Sequence, residues 1–247
     1  MAVVPAVLDA PAKLTVELRV VGVRADGYHL LDAEMVTIDL CDTLHLTAGE
    51  GVEVVDEIVG AAAGGAAALA AGGGHENIVS RALALAGRRA RVRIHKRIPV
   101  GGGLGGGSAD AAAILRWAGR GDDVALAARL GADVPFCLSG GRARVGGVGE
   151  AITPLAPLAR TFTLLTPPFG CSTVEVYRAW DRLGGPTGEG RNDLEAAALA
   201  VEPRLAEWRD RLAAATGKAP SLAGSGATWF VDGAHPGEGR VVVRTTA

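Results

Sequence analysis

Lysine is scarce in this chain: of 25 basic residues only Lys13, Lys96 and Lys218 are lysine, and the rest are arginine. A retained lysine then either marks a site that needs a compact, rotatable ammonium in place of a planar fork, or is a leftover of composition. Cysteine is equally thin. Cys41, Cys137 and Cys171 are odd in number and far apart in apolar surroundings. That excludes a disulfide framework, argues against a metal site built from them, and fits reduced core thiols in a cytosolic protein. Charge of neither sign dominates: the net charge of −2 and pI near 6.2 give no reason to expect nucleic acid or an anionic membrane as partner. No charge-free apolar run reaches the roughly 18 residues of a membrane span, and the N-terminus lacks the basic and apolar regions of a signal peptide. A cytoplasmic location is expected. What remains, 49% hydrophobic and 21% charged over 247 residues, suits one large domain or two modest ones with an ample core.

Glycine is the opposite case, with 36 residues. Six fall in one stretch, Arg97-Ile-Pro-Val-Gly-Gly-Gly-Leu-Gly-Gly-Gly-Ser-Ala-Asp110, which joins a strand-like run to an alanine-rich helical one. Glycine loses the most backbone entropy on ordering, so a folded loop with six of them needs left-handed backbone or close approach to something. Ser108 stands where an N-cap belongs, and Asp110 in the first turn of a helix expected over 109–118. Loop and helix N-terminus would together form an anion cradle suited to phosphate. Other readings stay open. The stretch could be a structural loop, since clusters such as Gly72 to Gly74 carry no motif. Gly101, Gly103 and Gly106 also match the dinucleotide pattern G-x-G-x-x-G, without an acidic residue ending a second strand about 20 residues on. The lysine-bearing P-loop is excluded, because Gly107 precedes Ser108.

Alternation predicts strands over 12–23, with Leu14, Val16, Leu18 and Val20 on one face, and over 34–40, 42–47, 52–55 and 90–98. Residues 60–74, nearly all alanine and glycine, read as a connection or a poor helix. Helices are expected over 77–86, capped by Asn77, and over 109–118 and 122–130. The turn Arg24-Ala-Asp-Gly-Tyr-His29 leaves Tyr28 and His29 just past the first strand, as ordinary surface residues or as ligand contacts. Lys96 arrives at the mouth of the glycine loop. Gly131 ends a helix and Pro135 starts another, so Asp133 reads locally as a plain N-cap. Strands over 142–146 and 150–153 lead to Pro154 and Pro157, where a junction divides the chain into domains 1–157 and 158–247. Beyond it come a strand over 161–166, a helix over 173–183, a loop over 184–191 and a helical stretch capped around Asn192. A helix over 202–215, a small-residue loop over 222–228 and strands over 229–231 and 240–244 follow. The order is mixed α+β, not strict βαβ alternation.

Pro11-Ala-Lys-Leu14, Arg24 to His29, Pro99 to Asp110, Leu130-Gly-Ala-Asp-Val-Pro-Phe136 and Leu222-Ala-Gly-Ser-Gly226, in that order over nearly the whole length, resemble the GHMP family of small-molecule kinases. Within it, Asp26 to His29 and Gly131 to Phe136 are similar to the branch whose acceptor is a cytidine-diphosphate-linked methylerythritol. The resemblance implies an α+β, two-lobed fold, with a mixed-sheet N-terminal domain carrying packed helices and a smaller α+β C-terminal domain. It implies transfer of the γ-phosphate of ATP, with Mg²⁺, to the 2-hydroxyl of that polyol in non-mevalonate isoprenoid precursor synthesis. Asp133 would be the general base and Lys13 its partner. Pro99, Val100, Gly101, Gly102, Gly103, Leu104, Gly105, Gly106, Gly107, Ser108 and Ala109 would wrap the ATP phosphates. Ser108 would lie near the metal, for which no protein ligand is named, and Asn77 and Lys96 would flank the adenine. On the acceptor side Tyr28 would stack on the cytosine and His29 read its edge. Tyr177 would complete the sandwich, with Thr173 one turn before it and Gly224, Ser225 and Gly226 nearby. Thr15 departs from the pattern, standing where an asparagine would touch the substrate. The alternative acceptor is another small alcohol, such as homoserine or mevalonate, for which Tyr28 and His29 would have no base to hold.

Overall fold

A computed structural model describes residues 4–62, 77–185 and 190–246. The expected connection at 60–74 falls largely outside them; Gly60–Ala62 is a short 3₁₀ turn. Two long strands, β1 (Ala6–Val23) and β2 (His29–Thr47), form an antiparallel ribbon paired end to end. The other edge of β2 is shared. Its Thr43–Thr47 half pairs with β4 (Arg91–Lys96), which carries β3 (Gly51–Asp56) in parallel, and its Leu31–Val36 half pairs with β5 (Arg142–Gly147), followed by β6 (Ala151–Pro154). Two expectations change here. The strands expected over 34–40 and 42–47 are one strand, and β1 starts six residues before residue 12. Pro11 lies inside it, on an edge strand beside a register shift, where a missing N–H costs nothing.

Four helices pack on this sheet: α1 (Ile78–Leu85), α2 (Gly106–Trp117), α3 (Val124–Leu130) and α4 (Val134–Ser139). Ala109, Ala111, Ala112 and Ala113 are all buried, so α2 lies in the core on nearly every side; small residues let β1, α1 and α4 come close. The rest is a four-stranded antiparallel sheet in the order β10 (Arg240–Arg244), β7 (Thr161–Leu165), β9 (Trp229–Asp232), β8 (Ser221–Leu222). Helices α5 (Thr173–Arg182), α6 (Glu195–Val201) and α7 (Leu205–Thr216) accompany it.

The six-stranded sheet ends at Pro154 and the four-stranded one begins at Thr161, but the hydrophobic cores do not divide there. Strand alternation sends Phe162, Leu164, Phe230 and Val243 into one cluster with Leu14, Ile38 and Ile114. It sends Leu165, Trp229 and Val231 into a second, with Leu18, Val20, Met35 and Phe136. Each face of the smaller sheet therefore packs against residues of the first 157. Of the three free thiols only Cys137 is a core residue; Cys41 and Cys171 are partly exposed. Among the described residues, no helix is long and apolar enough to cross a membrane.

Candidate active site

The glycine loop joins β4 to α2, and α3 follows with no strand returning beside β4. It is therefore not the first turn of a dinucleotide-binding βαβ unit. It is clasped to the 223–228 loop: the amides of Ala227 and Thr228 donate to the carbonyls of Gly101 (3.2 Å) and Gly102 (3.1 Å). Gly103, at φ +76°, makes the closest approach; a Cβ there would lie 2.3 Å from the carbonyl oxygen of Ala223. Gly105, at φ +69°, is the helix N-cap, and its missing side chain is what admits Lys13, whose Cγ would be 2.8 Å from a Cβ.

The helix thus starts at Gly106, earlier than expected, and Ser108 lies inside its first turn instead of capping it. Asp110 falls in the second turn. Gly106, Gly107 and Ser108 precede the first intrahelical bond, from Ala109 N–H to Gly105 O at 2.8 Å, and no side chain caps them. Their donors remain for a ligand, at the positive end of the helix dipole. A groove of about 450 Å³ runs along Asn77, Lys96 and every residue from Pro99 to Ser108. Ala109, expected there too, is buried in the core and does not line it. Asn77 caps α1 through its Oδ1, which accepts from Val79 N–H at 2.9 Å.

Lys96 stands at the mouth of the loop, with its ammonium committed to carboxylates. It is 6% exposed and ion-paired with Asp42 (0% exposed) and with Asp110 (3%), the latter at 2.9 Å. Burial pulls its pKa down, but the two carboxylates outweigh burial and raise it above the ordinary value. Asp110 is raised, first by burial; the nearby Lys96 charge opposes this and Asp42 adds to it.

Asp133 stands at the N-cap position of α4, as local sequence implied, yet its side chain makes no capping bond. Its carboxylate instead lies 3.3 Å from the ammonium of Lys13, reaching over from β1. Lys13 is buried and Asp133 a third exposed, so the pair opens to solvent on the carboxylate side. Thr15, two residues along the strand, accepts a hydrogen bond from Lys13 Nζ at 3.1 Å. Its hydroxyl holds the ammonium that pairs with Asp133.

A second cavity, about 750 Å³, lies on the other side of this pair. Thr15, Tyr28, His29, Thr173, Tyr177, Gly224 and Ser225 all line it. Gly226 does not; its carbonyl abuts Gly103 and its amide bonds Ala223, so its part is structural. Tyr28 is 62% exposed at the mouth. The Tyr177 ring packs on His29 at 4.7 Å between centroids, and burial followed by the Asp133 charge pushes its hydroxyl pKa up. Thr173 and Ser225 share a hydrogen bond of 2.9 Å between hydroxyls. Sequence reading missed Asp181, whose Oδ1 is 2.8 Å from His29 Nε2. The signal was available: it lies four residues after Tyr177 on α5, on the same helix face. The two cavities share Gly103, Ser108, Asp133 and Thr173, and Asp133 carries the one carboxylate among these four.

Residues 76–141 match the GHMP kinases N terminal domain. A 4-diphosphocytidyl-2-C-methyl-D-erythritol kinase of Paracoccus denitrificans (strain Pd 1222) is 40% identical over 246 residues, covering 90% of this chain and 84% of its own. That of Cereibacter sphaeroides (strain ATCC 17025 / ATH 2.4.3) is 38% identical over 248 residues, covering 90% and 87%. The crystal structure of a 4-(cytidine 5'-diphospho)-2C-methyl-D-erythritol kinase superposes with a TM-score of 0.74 at 30% identity, covering 98% of this chain and 100% of that one. The mevalonate kinase of L. major, in complex with R-mevalonate, superposes at 0.61 with 12% identity, covering 93% and 87%, which is a likeness of fold alone.

Proposed function

The chain belongs to the GHMP kinases and, among them, to the 4-diphosphocytidyl-2-C-methyl-D-erythritol kinase family, and on that premise we propose that it transfers the γ-phosphoryl group of ATP to the 2-hydroxyl of 4-diphosphocytidyl-2-C-methyl-D-erythritol. The observation that carries this is the junction of the two cavities at Asp133. ATP occupies the groove, its phosphates against the loop glycines and the first amides of α2, its base toward Asn77. The cytidyl-linked polyol occupies the larger cavity, its cytosine near Tyr28, His29 and Tyr177.

At the junction the acceptor hydroxyl meets the γ-phosphoryl group. Asp133 takes the hydroxyl proton as the new P–O bond forms and the bond to the ADP leaving group breaks. Lys13 orients that carboxylate and stabilises negative charge on the transferring group. Among the described residues no trio of His, Cys, Asp or Glu could hold a metal ion. Mg²⁺ is a hard cation that keeps waters and phosphate oxygens as ligands, so it would arrive with ATP, with the Ser108 hydroxyl at hand. Bound, it neutralises phosphate charge. We assign residues 1–157 to a domain carrying the groove and the Lys13–Asp133 pair and 158–247 to one completing the acceptor cavity, in a cytoplasmic enzyme.

The test is ADP release by the purified protein against 4-diphosphocytidyl-2-C-methyl-D-erythritol, homoserine and mevalonate. Turnover with the cytidyl-linked polyol alone is expected. Turnover with homoserine or mevalonate in its place transfers the assignment to that alcohol, and none with any acceptor removes the kinase reading.

A further inference from the structure

Between the end of β4 at Lys96 and the start of α2 at Gly106 the chain passes through a loop whose glycines give it little stiffness of its own. Among the described residues, no backbone hydrogen bond joins 96–98 to 106–110. The two ends are held through side chains. Asp42, in β2, accepts from the amides of Arg97 at 2.6 Å and Ile98 at 2.8 Å with Oδ1, and pairs with Lys96 through Oδ2. Lys96 Nζ then donates to Asp110 Oδ2 at 2.9 Å. One ammonium therefore ties the strand entering the loop to the helix leaving it, and ties both to β2. Gly106 rests on it: a Cβ there would be 3.0 Å from Lys96 Nζ.

Lysine suits this task. Its ammonium turns three donors toward carboxylates on different elements, where a guanidinium would impose its plane. Burying such charges is costly unless every member is paired, so a connection made this way is held only as a whole.

We propose that Lys96 is a positioning residue for the nucleotide: by bridging Asp42 and Asp110 it sets the start of α2 over the groove, and so fixes the amides of Gly106 to Ser108 where phosphate oxygens bind. The proposal rests on reading the groove as the ATP site. Lys96 acts through the helix, not by contact with phosphate, so its loss falls mainly on the nucleotide: Lys96 does not line the acceptor cavity, and of Gly106 to Ser108 only Ser108 borders it.

Titration calorimetry with the non-hydrolysable analogue AMP-PNP tests it without requiring turnover. Lys96→Met should weaken binding at least about 10-fold, the scale of losing one hydrogen bond to a charged phosphate oxygen. Steady-state KM for the acceptor should stay within about 2-fold, because no acceptor contact is removed. Asp110→Leu should behave alike, and Asp110→Asn should lose less, since its oxygen still accepts from Lys96. If Lys96→Met does not fold, the two Asp110 variants carry the comparison. A folded Lys96→Met or Asp110→Leu protein with wild-type AMP-PNP affinity, or with equal losses for nucleotide and acceptor, overturns the proposal. Wild-type protein that does not bind AMP-PNP overturns the groove reading, and the proposal with it.

Discussion

Replacing Gly103 with alanine forces apart the two loops that face each other at the cavity junction. The added Cβ would stand 2.3 Å from Ala223 O and 2.8 Å from Gly226 O, both backbone atoms that cannot rotate away. Relief requires the loops to separate by the better part of an ångström, which costs about 1–3 kcal/mol by analogy with overpacked cores. The left-handed φ of +76° adds about 1–2 kcal/mol for a residue with a Cβ. The expected loss is about 2–5 kcal/mol, within reach of a protein stable by about 5–15 kcal/mol. Because Gly103 lines both cavities, the same displacement should lower kcat by about 10²-fold. Gly119→Ala is the control: its φ is +75°, yet a Cβ there meets nothing within 4 Å. It should lose only the conformational part and keep its turnover. Urea unfolding and ADP release, measured on both variants, decide the matter. Equal stability losses, with Gly103→Ala retaining kcat, would refute the claim that the loops are held at contact distance for catalysis.

Asp133→Asn should lower kcat by at least about 10²-fold while leaving AMP-PNP affinity close to wild type; normal turnover removes Asp133 from the proton transfer. Tyr28→Ala should raise KM for the cytidyl-linked acceptor well above any change in KM for ATP, and equal effects would argue for an acceptor without a base. Stability should also depend on pH through Asp110, whose folded pKa is raised above the ordinary 3.8. The folded state then holds the proton more tightly than the unfolded one, so this contribution is complete below 3.8 and is lost as pH rises toward the folded value. The slope is at most about 1.4 kcal/mol per pH unit. Asp110→Asn should flatten the profile of unfolding free energy between pH 4 and neutrality, and an unchanged profile would assign the slope to other groups.

The order of elements was legible because alternation and punctuation govern them locally. What was not legible depended on distant partners. Glycines 106 and 107 read as loop because glycine is a poor helix former, yet they open the helix, where distant side chains leave little room for a Cβ: Ile98 and Lys96 lie close against Gly106. Asp42 read as the first residue of a separate strand, after a gap at Cys41. It stays inside β2, fully buried, because two loop amides and an ammonium need its oxygens. Lys96 showed itself as a basic residue at the loop, but its partners lie 54 and 14 residues away. Asp133 was the reverse: its local setting gave the N-cap position correctly, and only the motif resemblance pointed to Lys13.

The smaller sheet lends alternate side chains to two different cores, and this bears on how the enzyme can move. Units joined by such interleaving cannot swing as rigid jaws about Pro157, since opening would strip Phe162 and Phe230 from one set of neighbours and strain Leu165 and Trp229 against another. Melting should follow the same logic. Calorimetry is expected to show one transition, and two separable peaks would mean that the halves come apart independently.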